Sequence, residues 1–204
     1  MLASHRGYDA GALRMATALA TALDAPLVTS TVSRLVVDLN RSVGHRHHFS
    51  AFTRTLAKAE RAAIVAAHYR PYRDQVEDRV GTIVARGRRT VHISAHSFTP
   101  VLDGHVRRAD VGLLYDPARP GESALCARWK AALAAAAPAL VVRRNYPYQG
   151  KCDGLTAHLR RRFSAAAYVG VELEVNQQIV AAGGRAWPAL MAALIASLRA
   201  AAAA

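Results

Sequence analysis

Four groups of residues have types and spacing that could do chemistry. His96 follows the run Val91-His92-Ile93-Ser94 and precedes Ser97-Phe98-Thr99-Pro100. An imidazole at a strand end is well placed to bind zinc, because the strand fixes the backbone and the loop frees the ring; a capping or buried hydrogen-bonded histidine is the competing reading. Glu172 and Glu174 lie two apart in the VELEV segment, so they share one face of a strand while Leu173 and Val175 take the other. Carboxylates on a central strand are costly to bury without partners. Two on one face suggest a site that holds cations or protons, and such a Glu beside a zinc-bound water is a natural general base. On an edge strand the same pattern is a solvated acidic face. In SRLVVDLNRS, Arg41 beside Asn40 can grip a carboxylate through the guanidinium fork, with Arg34 seven residues earlier. Asp38 could orient Arg41 or a metal ligand, or the group could be a structural ion pair. His45, Arg46, His47 and His48 look like a metal motif, but adjacent residues rarely share a face, and a polar loop is expected there.

The elements that must position these residues follow from periodicity and punctuation. Leu13, Ala16, Leu19 and Leu23 recur at helical spacing, predicting a helix over 10–23 that Asp9 can cap. Leu27–Val32 and Arg34–Leu39 read as extended β-branched segments, and 40–52 as an irregular polar stretch. A helix is expected over 57–86, interrupted near Pro71 and closed by Gly87. Short strands are expected at 90–94, 111–115, 140–143 and 168–175, and helices at 122–137, 155–163 and 187–204. Loops are expected at 95–104 and 145–154. Strands alternating with helices predict a single α/β domain over 1–204 with a mainly parallel or mixed sheet flanked by helices. Ligand sites in such sheets gather beyond the strands' carboxyl ends, where Asn40, His96 and Asn145 are expected to fall. These three and Glu174 are expected to converge on one cleft, with His96 and Glu174 within about 12 Å.

The chain has 204 residues and a formal charge of +13, which raises nucleic acid as a partner. Only three of its 27 basic residues are lysines, and they are scattered without an aromatic-basic motif, so no nucleic-acid partner is expected. The two cysteines, Cys126 and Cys152, lack CxxC spacing and fit a reducing compartment better than a disulfide framework. No apolar run is expected to approach the roughly 18 residues of a membrane span. No signal-peptide layout opens the chain, and a cytoplasmic protein without membrane partners is expected.

Read together, SHRGYDAGA (4–12), SRLVVDLNRS (33–42), HYRPYRDQVE (68–77), SAHSFTPVLDG (94–104), NYPYQGKCDGLT (145–156) and ELEVNQ (172–177) resemble the N-formylglutamate amidohydrolase family. The ordered set spans nearly the whole chain. The resemblance implies a fold similar to zinc carboxypeptidases and hydrolysis of the amide of N-formylglutamate or another N-acyl amino acid. His96 would be a zinc ligand, with Asp9 as a second. Glu174 would be the general base. Arg41, with Asn40 and Arg34, would hold the substrate carboxylate, and Asn145 and Thr156 would line the pocket. The family pattern opens with a histidine-containing segment upstream of the SHRGYD stretch, whereas this chain begins four residues before His5. The N-terminal metal-binding segment is therefore expected to be missing, zinc to bind weakly or not at all, and a metal-free carboxylate-binding protein is the rival reading.

Overall fold

The computed structural model describes residues 7–203; His5 and the start of the SHRGYD stretch lie outside them. In chain order the elements are α1 (Ala12–Leu23), α2 (Lys58–Ile64), a π-helical turn (Val65–Tyr69) and α3 (Arg70–Ala85). Then come β1 (Thr90–Phe98), β2 (Val101–Leu102), β3 (His105–Val106), β4 (Val111–Leu114) and α4 (Pro120–Ala136). The last are β5 (Val142–Arg144), α5 (Leu155–Arg162), β6 (Tyr168–Asn176), α6 (Gln177–Ala182) and α7 (Ala186–Ala203). The four-stranded sheet has the order β1-β6-β4-β5, and β2 pairs with β3 apart from it. β4 runs parallel to β5 but antiparallel to β6. The chain is α/β with a mixed sheet flanked by helices. It divides into two compact units: Met1–Tyr8, Val28–Thr90 and Cys152–Tyr168 form the first, and Asp9–Leu27, Val91–Lys151 and Val169–Ala204 the second.

The core of the second unit is set by strand alternation. Val111 faces Val175 and Leu113 faces Leu173 across β4 and β6. These four pack with Met15 and Leu19 of α1, Trp129 and Leu133 of α4, and Leu190, Leu194 and Leu198 of α7. Trp129 donates its indole N–H to Ser197 Oγ at 3.0 Å, so its one polar atom is satisfied inside the core. The alternate residues, Glu172 and Glu174, therefore point to the opposite face. β6 is an interior strand and every residue in it is buried, which removes the solvated-edge reading of its glutamates. The expectation about membrane length needs correction: α7 is long and apolar enough to cross a membrane. Its Trp187, Leu190, Met191, Leu194 and Leu198 are instead buried in this core.

The first unit packs Val76 and Val80 of α3 against Leu155 and Leu159 of α5 and against Tyr168. The break expected near Pro71 is a widened turn instead. Proline has no N–H, and its ring crowds the carbonyl four residues back. The chain answers with a π-turn, in which the Arg70 N–H bonds Val65 O, five residues back.

The strands expected over 27–32 and 34–39 are absent, and for the second the physical reason is visible. Ser50 Oγ donates to Leu35 O at 2.5 Å and Thr53 Oγ1 to Val36 O at 2.8 Å, while Ser33 Oγ accepts the Leu35 N–H at 3.2 Å. Side-chain hydroxyls take the place of a neighbouring strand. Asn40 and Arg41 thus sit in a turn region, not at a strand end. β1 is longer than expected, so His96 and Ser97 lie inside a strand and not in the loop after it.

Candidate active site

In the second unit, His96 is held at both ring nitrogens. Its Nδ1 is 2.8 Å from Asp9 Oδ2 and its Nε2 is 3.0 Å from Ser94 Oγ. Ser94 and His96 are two apart on β1, so strand alternation puts them on one face. Asp9 does not cap α1; the N-cap is Gly11, with no side-chain bond, because the Asp9 carboxylate is turned to His96. Burial alone would lower the pKa of His96. The Asp9 hydrogen bond and charge, with Glu174 and Glu172, outweigh that and push it up to about 9. Those causes also show that the β6 glutamates lie within electrostatic reach of the imidazole. Glu172 is 8% exposed and Glu174 5%.

Beside Glu174 the chain doubles back. Gly112 of β4 is its cross-strand partner. A Cβ at Gly112 would overlap the Tyr146 carbonyl oxygen and stand 3.3 Å from the Glu174 Cβ. After β5 the chain reverses at Asn145, whose φ of 50° is left-handed, a conformation that asparagine tolerates. Its side-chain oxygen accepts the Tyr115 and Gly150 N–H groups, both at 3.0 Å. Gly150 sits so close that a Cβ there would overlap the backbone of Tyr115. Arg107 joins the same loop through Tyr148 Oη at 3.0 Å.

In the first unit the expected carboxylate binders meet backbone. Asn40 Oδ1 accepts the Leu155 N–H at 2.7 Å, capping α5, and its own N–H bonds Asp38 Oδ1 at 2.9 Å. Arg41 donates to the Asp153 carbonyl at 2.6 Å, and Ser42 gives both N–H and hydroxyl to the Asp153 carboxylate. Burial would raise the Asp153 pKa, but the Ser42 bonds, His45 and Arg41 hold it below its ordinary value. Thr156 is fully buried in the first turn of α5, and Arg34 is half-buried. In the histidine cluster, His48 is buried between Phe49 and Tyr69, each ring 4.7 Å away, and burial lowers its pKa.

The family model for N-formylglutamate amidohydrolase matches residues 1–181. The chain belongs to that family. A crystallised gene product from Agrobacterium tumefaciens is 32% identical with a TM-score of 0.85, over 99% of this chain and 80% of the other. A crystallised N-formylglutamate amidohydrolase from Ralstonia eutropha is 18% identical with a TM-score of 0.71, over 94% of this chain and 81% of the other, a likeness of fold. Curated proteins give no match. The amidohydrolase reading makes the chain a hydrolase of amide bonds.

The zinc implied by the resemblance can be tested against the donors present. The two expected ligands, His96 and Asp9, bond each other through Nδ1 and Oδ2, and Ser94 Oγ engages the other ring nitrogen. No group of three or more His, Cys, Asp or Glu suited to a metal occurs among the described residues, whereas catalytic zinc takes three protein ligands. The described residues alone do not complete a catalytic zinc site. Sequence reasoning overlooked Ser94 and Gly112 in the second unit and Asp153 in the first. Ser94 was legible from its spacing to His96. Gly112 was legible as a glycine inside a strand pattern, a mark of close backbone approach. Asp153 gave no signal, because its partner Ser42 is 111 residues away.

Proposed function

We propose that the chain hydrolyses the amide bond of an N-acyl amino acid, with N-formylglutamate as the substrate to try first. The observation that supports it is the buried pair Glu172 and Glu174 on an interior strand, acting on a histidine that Asp9 and Ser94 hold at both nitrogens. Glu174 takes a proton from water as its oxygen adds to the amide carbonyl carbon. His96 offers its Nε2–H, which engages Ser94 Oγ in the free protein, to the carbonyl oxygen as negative charge develops there, and Asp9 sustains the imidazolium that does so. The C–N bond then breaks, and the proton on Glu174 passes to the departing amine. With N-formylglutamate the products are formate and glutamate. Arg41, with Arg34 and Thr156, is the proposed binder of the substrate carboxylate; the Asp153 carbonyl engages NH1 of the Arg41 fork, and the Asn40 oxygen accepts the Leu155 N–H.

The experiment is formate release from N-formylglutamate, with and without a chelator, by the protein and by Glu174→Gln. Turnover lost in the variant at unchanged thermal stability is the expected result. Turnover that survives the substitution would remove Glu174 from the chemistry. Zinc content after dialysis decides separately whether metal accompanies His96.

A further inference from the structure

We propose that Asn145 is a positioning residue, which with Gly112 seats the 145–150 loop as a wall beside Glu174, and that it does not touch substrate. Asn145 is the point where the chain leaves β5 and turns back. Its N–H bonds Leu113 O at 2.9 Å, continuing the β4 ladder, while its side-chain oxygen collects the N–H groups of Tyr115 and Gly150. One side chain therefore ties together both ends of the loop and the end of β4. The loop so closed lays the Tyr146 peptide across Gly112, the residue paired with Glu174, where any Cβ would meet the Tyr146 carbonyl. Gly112 supplies the room and Asn145 the fastening. The Asn145 oxygen is already taken by backbone, which a residue selected to grip a ligand through that atom would not show.

The kinetic arm of the test rests on Glu174 as the base; the proteolytic arm does not. Asn145→Ala removes the acceptor and should lower kcat on N-formylglutamate by about ten- to a hundredfold, with KM within about twofold. Asn145→Asp keeps an oxygen for both N–H groups and should restore most of that loss. Trypsin cleavage at Arg144 and Lys151, which flank the loop and are exposed, should accelerate in Asn145→Ala and not in Asn145→Asp. Gly112→Ala should reproduce the Asn145→Ala effects from the other side of the contact, and the double variant should be no worse than either single one. It also carries the test if Asn145→Ala does not fold.

A pocket-lining Asn145 predicts the opposite. Its amide nitrogen would donate to an anionic substrate, so Asn145→Asp would be worse than Asn145→Ala and KM would rise in both. That pattern, or unchanged trypsin cleavage in Asn145→Ala and Gly112→Ala, overturns the proposal. If the wild type releases no formate, the proposed substrate fails, and the cleavage pattern still decides the loop.

Discussion

Two polar constellations in this molecule look alike in the sequence and are built differently. Around His96, side chains bond side chains: Asp9 to the imidazole, the imidazole to Ser94, with two buried glutamates near by. Around Asn40–Ser42, backbone dominates: Asn40 takes the Leu155 N–H, Arg41 the Asp153 carbonyl and buried Arg73 the Leu39 carbonyl at 3.3 Å, while the Ser42 hydroxyl meets the Asp153 carboxylate. The first pattern holds ionisable groups in a set geometry. The second ties the start of α5 to a segment that has no strand partner. A polar cluster is thus better judged by what its atoms engage than by its composition, and the contrast predicts that losses around His96 fall on turnover and losses around Asn40–Ser42 on binding and stability.

The sharpest break would come at Glu174. Glu174→Gln should lower kcat by about a hundred- to ten-thousandfold, the usual range for a general base, and leave the urea midpoint in place. A variant that unfolds instead would move Glu174 into the structural class. Next in size is Arg41→Ala. Loss of a charged donor should raise KM by roughly ten- to a hundredfold if Arg41 holds a carboxylate. If KM holds and only the unfolding free energy falls, Arg41 belongs with Asn40 as a tie.

The Asp9–His96 pair sharpens the comparison through pH. The folded value of about 9 lies above the ordinary 6.5. Its contribution is therefore fully present below pH 6.5 and fades as pH rises through 9. In chelator-treated protein, the stability advantage of the wild type over Asp9→Asn should be large at pH 6 and gone above pH 9. A gap independent of pH would mean that no imidazolium is held there. The smallest effect is expected at Asn40. Asn40→Ala should lower the unfolding free energy by about 1 kcal/mol, the usual worth of a helix cap, measured by urea titration. A fall in kcat beyond what the unfolded fraction explains would make Asn40 more than scaffolding.

Much of the architecture was legible because its signals are local. Alternation in VGVELEV and the helical spacing of Leu13, Leu19 and Leu23 each act within a few residues. The expected strand over 34–39 failed because β-branched composition is only half of a strand; the other half is a partner, and here hydroxyls at 33, 50 and 53 displaced it. The roles of Asp9 and Asp153 were hidden for a related reason. The hydrogen bonds that define them close over 87 and 111 residues, and no periodicity reports such distances. His48 reads as a polar loop residue, yet it is 1% exposed, packed against two aromatic rings.

The π-turn at Val65–Tyr69 amounts to one residue more than a regular helix would hold between α2 and α3. Each residue of an α-helix advances about 100° around its axis. Shortening the turn by one residue would therefore rotate everything before it against everything after it by about that angle. Tyr69, at the end of the turn, donates its phenol to the Arg41 carbonyl at 2.8 Å, and Arg73 lies one helical turn further on. A single deletion among Val65, Ala66 and Ala67 would leave a smoother helix and cast α2, with its Arg61–Phe49 contact, onto another bearing. In this segment indels should be far less tolerated than substitutions, the reverse of what its alanine-rich composition suggests.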